Sequence, residues 1–353
     1  MKKIVLTGGG TMGHISPNLA IIPKIAGIFD EIHYIGSFNG PEKEKIENLM
    51  KSHNNLYYHA ISSTKLTRKS IFKNLALPFI LLKALFQAKK LLKHISPNVV
   101  FSKGGYVSVP VSITAGRLGI PLVIHESDLS MGLANKIASK YATTICTTFP
   151  ETAKRFKNGI ATGSPVSLSI LNADKSHAKN EYSLNENLKT IAITGGSLGS
   201  STINSAVLKC LPSLVKKFNI IHITGKGKKI DFAHKNYHQV EYSDNIGSIF
   251  KASDLIISRA GSNTIFEIAS LKKPMLLIPL SKKSSRGDQI ENAEYFKKLG
   301  IAEVLYEEKL DSLESVVEKT MGQIKDYRVK LDKLDFKNGL DTLIKEILKA
   351  QKR

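Results

Sequence analysis

The chain contains no tryptophan and only two cysteines, Cys146 and Cys210, among 353 residues. Two isolated cysteines form no CxxC pair and no Cys/His cluster with metal-ligand spacing. That argues against a disulfide scaffold or a structural zinc and suits a reducing cytoplasm. No apolar run reaches the ~18 residues of a membrane-spanning helix. The N-terminal run Ile4-Val5-Leu6 ends at Gly8, well short of the roughly 7–15 apolar residues of a secretory signal, and reads as a first strand. Acidic residues are missing altogether from Asn48 to His125. The same stretch carries Lys51, Lys65, Arg68, Lys69, Lys73, Lys83, Lys89, Lys90, Lys93, Lys103 and Arg117. It concentrates part of a formal net charge of +21 and predicts a surface that attracts phosphates, anionic lipid or nucleic acid. Nucleic acid is the least favoured of these: aromatic residues are only 7%, and no RRM, KH or zinc-finger pattern is present.

What the chain does have is rhythm. Short β-rich runs at Ile4–Leu6, His33–Ile35, Leu56–His59, Val99–Phe101 and Leu122–Ile124 alternate with amphipathic helical stretches, the mark of βαβ units on a buried parallel sheet. The pattern then restarts. Lys3-Ile4-Val5-Leu6-Thr7-Gly8-Gly9 is echoed by Thr190-Ile191-Ala192-Ile193-Thr194-Gly195-Gly196, and strands follow at Ile220–Ile223, Leu255–Ile257, Met275–Ile278 and Ala302–Leu305. The echo predicts two facing Rossmann-like domains with parallel sheets, with ligands at the carboxyl ends of the strands. We expect an N-terminal domain over 1–163, a linker over 164–189 and a C-terminal domain over 190–353. The last helices, from about Leu310, are candidates to pack back on the first domain.

Chemistry-bearing motifs stand at the strand ends. Gly8-Gly9-Gly10-Thr11-Met12-Gly13-His14 leads into Ser16-Pro17, which reads as an N-cap followed by proline in the first helical turn. Its amides suit an anion, although a tight strand–helix turn needs the same glycines. It is not a P-loop, and no acidic residue closes the following strand as a dinucleotide site requires. His14 at its mouth is either structural or a general base whose ordinary pKa suits neutral pH. Lys103-Gly104-Gly105-Tyr106-Val107-Ser108 forms a second candidate anion nest, and His125-Glu126-Ser127-Asp128 ends the next strand. In the second half, Gly195-Gly196-Ser197-Leu198-Gly199 repeats the loop logic. Ser258-Arg259-Ala260-Gly261-Ser262-Asn263-Thr264-Ile265-Phe266-Glu267 places small hydroxylic residues at a helix start, suited to a diphosphate. Glu267, four residues beyond Asn263 on the same face, can accept both hydroxyls of a ribose, although a capped helix with a buried ion pair would read the same way. Gln289 and Asn292 offer amides for sugar hydroxyls.

Taken in order, the pieces GGGTMGH, KGGYVS, HES, TGSPV (Thr162–Val166), GGSLG, SRAGSNTIFE and DQIENA (Asp288–Ala293) resemble the bacterial N-acetylglucosaminyltransferases of peptidoglycan synthesis, which convert lipid I to lipid II. The resemblance implies a GT-B fold and an inverting, metal-independent transfer from UDP-GlcNAc to the C4 hydroxyl of an undecaprenyl-linked muramyl acceptor, with no cofactor. The chain has no DxD motif, in keeping with that. By the same resemblance, His14, or else Glu126, is the catalytic base. The donor falls to Thr11, Met12, Gly13, Asp128, Ser167, Ser197, Ser243, Ser262, Asn263, Thr264, Ile265, Phe266, Glu267 and Gln289. The acceptor falls to Gly104, Gly105, Tyr106, His125, Asn135 and Asn204. Met12, Asp128, Ser167 and Leu198 depart from the family's usual glycine, asparagine, arginine and glutamine.

A lipid-linked acceptor demands a membrane-facing surface. Phe72, Leu75, Phe79 and Leu82, with Lys69 and Lys73, lie in an apolar segment too short to span and flanked by lysines. It suits either docking at an anionic membrane or an ordinary core helix. The implied location is the cytoplasmic face of the cell membrane. Alternative readings are another lipid glycosyltransferase of the diacylglycerol type and a UDP-GlcNAc epimerase. An NAD dehydrogenase is disfavoured by the missing ribose-binding acid.

Overall fold

The structure, a computed structural model, describes residues 1–63, 77–336 and 338–352. It divides into two compact units: unit 1 comprises 1–167 and 338–353, and unit 2 comprises 168–337.

Unit 1 runs β1 (Lys3–Thr7), α1 (Met12–Ile25), β2 (Glu31–Ser37), α2 (Pro41–Met50), β3 (Leu56–Ile61), α3 (Leu77–Ile95), β4 (Val99–Ser102), α4 (Ser108–Arg117), β5 (Leu122–Glu126), α5 (Leu133–Ala138), β6 (Thr144–Thr147), α6 (Pro150–Ala153) and β7 (Gly159–Ala161). Its strands form one parallel sheet in the order β3-β2-β1-β4-β5-β6-β7. Alternation along each strand feeds two cores. Ile4, Leu6, Tyr34, Val99 and Phe101 face one layer, while Val5, Ile35, Val100, Leu122 and Ile124 face the other. Burial on both faces is why these strands read as continuous apolar runs.

Unit 2 runs α7 (Leu168–Leu171), α8 (Lys175–Glu181), β8 (Lys189–Thr194), α9 (Ser201–Leu214), β9 (Phe218–Ile223), β10 (Tyr237–Val240), α10 (Ile246–Ala252), β11 (Leu255–Ser258), α11 (Ser262–Ser270), β12 (Met275–Leu277), α12 (Asp288–Lys298), β13 (Ala302–Val304), a 3-10 turn at Glu307–Ser312, α13 (Leu313–Gly322) and α14 (Ile324–Lys333). Its parallel sheet has the order β10-β9-β8-β11-β12-β13. A last helix, α15 (Leu340–Gln351), returns to unit 1. In both sheets the strand order reverses beside the first strand, between β1 and β4 and between β8 and β11. Within each sheet, the loops leaving these two neighbouring strands lie at that sheet's topological switch point, where ligands of such sheets bind.

Four expectations are corrected here. The stretch 164–189 is not a free linker: α7 and α8 belong to unit 2, with Ile170 and Ala178 buried. The second domain does not run to 353, because α15 buries its apolar face in unit 1. The strands β6, β7 and β10 were not anticipated; each has four residues or fewer, and β10 is polar and lies at the sheet edge. Ser16 is not an N-cap, since α1 already starts at Met12 and Pro17 stands inside it. There Pro17 forfeits the amide bond to the carbonyl of Gly13. The expected membrane residues Lys69, Phe72, Lys73 and Leu75 lie outside the described residues.

Candidate active site

In unit 1, the loops after β1 and β4 touch. Gly105 has φ +88°, a region L-residues with side chains rarely adopt. A methyl group there would also collide with the Gly9 carbonyl and press within 3.1 Å of the His14 ring. Glycine at 105 thus lets the second loop lie against the first, with His14 alongside. His14 occupies the first turn of α1, partly exposed, with its Nδ1 buried. Thr11 caps the helix in an extended conformation without a side-chain hydrogen bond. Thr11 and Gly13 are exposed and Met12 is half-buried, so the start of α1 is the open part of this loop.

The glycines ahead of it are less open than the phosphate-cradle reading expects. The Gly10 amide is already bonded to a carboxylate of the protein, Glu42 Oε2, at 3.2 Å. The ring of Tyr106 stacks over Gly10. Lys103, at the base of the second loop, is buried and donates to Ser127 Oγ at 2.7 Å. Burial pushes its ammonium down to about 8, a shift that Glu126 and Asp128 partly offset.

The HES segment is a structural knot. Glu126 is buried and accepts from the amides of Asp128 (3.0 Å) and Gly132 (2.9 Å) and from Asn135 Nδ2 (3.0 Å). With three donors already on it, this carboxylate ties the Asp128–Asn135 loop to the strand end, and its geometry fits loop closure rather than proton abstraction. His125 is fully buried, with Nε2 donating to the Gly163 carbonyl at 3.2 Å. Burial and the nearby Lys103 hold its pKa well below the ordinary value, so it is neutral. Asn135 is buried as well and donates to the His125 carbonyl. The expectation that His125 and Asn135 line an acceptor surface is therefore corrected: both support the loops from beneath. Gly104 is buried against Asn135, which leaves half-exposed Tyr106 as the accessible member of that set. Asp128 and Ser167 are half-exposed.

In unit 2, Gly195–Gly199 leaves β8, with Ser197 and Leu198 exposed. Ser200 caps α9, its Oγ accepting from the Ile203 amide. Arg259, just after β11, is buried. It pairs with Glu307 at 2.6 Å, donates to Ser200 Oγ at 2.8 Å and reaches the Ile278 carbonyl at 3.2 Å. This one side chain joins the loops after β8, β11 and β12. At Glu307, burial alone would raise the carboxyl, but the Ser281 amide and Arg259 hold it below the usual range. The helix α11 then begins at Gly261, which has no side chain to cap it and open space beyond its Cα. Thr264 and Asn263 are half-exposed in the first turn. Glu267, half-buried, has no hydrogen-bonding or ion-pairing side chain among the described residues, and desolvation raises its carboxyl to about 7.

Other members of the expected donor set serve as supports. Gln289 Oε1 accepts from the Leu280 amide at 3.0 Å, and Asn292 Nδ2 donates to the Ala260 carbonyl at 3.3 Å. Ser243 Oγ accepts from the Asn245 amide. Ser262 is buried. Ile265 is fully buried, and Phe266 stacks edge-on against Phe296 and Phe336. These two side chains belong to the core, and the Ile265 amide donates to the Gly261 carbonyl within the helix. Asn204, expected on the acceptor side, has its side chain engaged within unit 2. It lies buried in unit 2, bonded to the carbonyls of Thr224 and Lys228 and to His222.

Comparison with known proteins bears on this pair of loop clusters. The N-terminal domain model of glycosyltransferase family 28 matches residues 4–147, and the C-terminal domain model matches residues 190–347. The chain belongs to glycosyltransferase family 28. Among family 28 relatives, a protein of Lachnospira eligens is 45% identical over 351 residues, covering 98% of both chains. One from Clostridium botulinum strain Hall is 45% identical over 358 residues, covering 100% of this chain and 99% of its own. Both are named UDP-N-acetylglucosamine–N-acetylmuramyl-(pentapeptide) pyrophosphoryl-undecaprenol N-acetylglucosamine transferase. The crystal structure of Acinetobacter baumannii MurG superposes with a TM-score of 0.76 at 24% identity, over 99% of this chain and 100% of that one. A Neisseria meningitidis UDP-GlcNAc 2-epimerase bound to UDP-GlcNAc superposes at 0.70 and 14% identity. The GT-B architecture expected from the sequence is thus what a family 28 chain adopts, and fold alone does not separate transferase from epimerase.

Proposed function

We propose that this glycosyltransferase moves N-acetylglucosamine from UDP-GlcNAc to the C4 hydroxyl of the muramyl sugar of undecaprenyl-pyrophosphoryl-MurNAc-pentapeptide, giving lipid II. The observation that carries the reading is the start of α11. An uncapped helix N-terminus at Gly261 stands nearly two turns ahead of a desolvated carboxylate with no side-chain partner, Glu267. The first suits a diphosphate, through amides and helix dipole; the second suits the two hydroxyls of a ribose. Together they fit a uridine diphosphate.

In this reading transfer is a single displacement with inversion. His14 takes the proton of the acceptor hydroxyl as its oxygen attacks the anomeric carbon, and the bond to UDP breaks on the opposite face. The departing diphosphate gains negative charge, which the α11 amides stabilise. His14 is preferred to Glu126 because it is partly exposed in the first turn of α1, whereas Glu126 already holds three donors. The acceptor's lipid is met by α3. Its face Ala84, Ala88, Leu92 and Ile95 is buried, while Phe79, Leu82 and Phe86 are 75%, 64% and 69% exposed along the other side. Lys83, Lys89 and Lys90 are exposed beside them. No helix among the described residues is long and apolar enough to cross a membrane, so α3 would dock peripherally on anionic lipid at the cytoplasmic face.

The test is incubation with labelled UDP-GlcNAc and a lipid I analogue in the presence of a chelator. A β-linked, labelled disaccharide-lipid is expected. His14→Ala should lower turnover about 10²–10⁴-fold while leaving UDP binding intact. Label passing to diacylglycerol instead, or a UDP-sugar epimerised without acceptor, would replace this reading with one of its rivals.

A further inference from the structure

Glu42 was not singled out by the sequence, yet it is the most deeply engaged acid of unit 1. It sits in the first turn of α2 with no exposed surface. Its Oε1 accepts from Ser37 N at 2.9 Å and from Ser37 Oγ at 2.5 Å, and its Oε2 accepts from Gly10 N at 3.2 Å. No lysine, arginine or histidine pairs with it among the described residues. Its charge is balanced only by these donors and by the amino end of α2. A methyl group on Gly9 would come within 2.7–2.9 Å of its carboxyl group, and one on Gly40 would overlap it. Two glycines from separate loops thus form a slot that fits this carboxylate. The ring of Tyr106 lies against Gly10.

We infer that Glu42 is a positioning residue of the transferase, coupling the two glycine loops of unit 1. One carboxylate holds the loop that leads to His14, through Gly10. The same Gly10 backbone is the surface against which the ring of Tyr106, the accessible residue of the second loop, rests. Glu42 occupies from inside the amide that a phosphate would otherwise take, so the Gly8–Gly10 turn is a scaffold and ligand contact is left to Thr11–His14 and Tyr106. The functional consequence rests on the proposed acceptor role of unit 1.

Glu42→Gln keeps the size but loses the charge, and it sets an amide group against either Gly10 N–H or Ser37. It should lower kcat/KM for the lipid I analogue between about 10- and 100-fold, the scale of an ångström-level misplacement. The affinity for uridine, placed at Glu267 in unit 2, should stay within twofold. Ser37→Ala, which removes one of the donors to Glu42, should show a smaller loss in the same parameter. Tyr106→Ala, which removes the ring from Gly10, combined with Glu42→Gln should lose less than the two single losses multiplied together. Wild-type acceptor kinetics in folded Glu42→Gln, or in Ser37→Ala if the first variant does not fold, would overturn the inference. So would strictly additive losses in the double variant. Amide exchange at Gly9–Thr11 separates this failure from that of the proposed function. If the wild-type protein does not act on lipid I, the coupling still predicts faster exchange there in Glu42→Gln, and unchanged exchange rejects it.

Discussion

The chemistry of Glu267 shows how one side chain links stability to ligand capture. Burial raises its carboxyl from an ordinary 4.5 to about 7. A raised acid favours the protonated folded state, so it withdraws stability as pH climbs from about 4.5 to about 7 and no more above that. Ligand binding has the opposite sign, because hydroxyl donors reward the ionised form. Uridine, which has no phosphate to titrate, should bind more weakly below pH 7, by up to about tenfold per pH unit. In Glu267→Gln the affinity should be lower and flat between pH 6 and 8. Calorimetric titration of uridine across that range checks both, and a wild-type affinity indifferent to pH would remove Glu267 from the ribose. Single residues were also where the sequence misled most. His125, Asn135 and Asn204 are polar residues at strand ends or helix starts, and pattern does not reveal whether a later loop will cover them. Burial turned all three into supports. Glu42 left only a faint signal, an acid just after Gly40-Pro41 at a helix start, and its partner at Gly10 lies 32 residues away.

At the scale of elements the sequence spoke more clearly, because a parallel sheet buried on both faces writes long apolar runs and each strand end writes a glycine loop. The elements it hid were short or at an edge: β7 spans three residues, and β10 is exposed enough to keep histidine and glutamine. Helix α3 was ambiguous between core and membrane surface, and it is built for contact on two sides. Small and medium residues (Ala84, Ala88, Leu92, Ile95) face the sheet, while Phe79, Leu82 and Phe86 recur at helical spacing on the outer side. Inserting such side chains into lipid is worth roughly 1.5–3 kcal/mol each, and each nearby lysine adds about 1 kcal/mol on anionic lipid. Replacing the three with serine should therefore weaken binding to phosphatidylglycerol vesicles more than about 100-fold, with thermal stability changed little because nothing is unburied. Vesicle sedimentation measures it. Retained binding would assign the membrane contact to another surface, and a lowered Tm would show the stripe to be core after all.

For the whole molecule, the informative feature is that the chain enters unit 2 after Ser167 and leaves it again at Asn338. An amphipathic helix announces an apolar face but not the core that receives it, so the sequence left open where α15 would dock. Its Leu340, Leu343, Ile344, Ile347 and Ala350 complete the same core as β1 and β4. Asn338 anchors the return by bonding both the amide and the carbonyl of Val166, at 3.0 and 2.9 Å. Burying four large aliphatic side chains is worth on the order of 8 kcal/mol as an upper estimate, comparable to the whole stability of a domain. Unit 1 is therefore a composite of the two ends of the chain, whereas unit 2 is continuous and carries its own core. A chain truncated after Phe336 should lose the cooperative unfolding of unit 1 and all transfer activity, while still binding uridine through unit 2. Adding the peptide 338–353 in trans should restore part of the lost transition. Calorimetry would show one remaining endotherm in place of the full pattern. A truncated protein that keeps an ordered unit 1 would mean that β1 and β4 are adequately covered without α15.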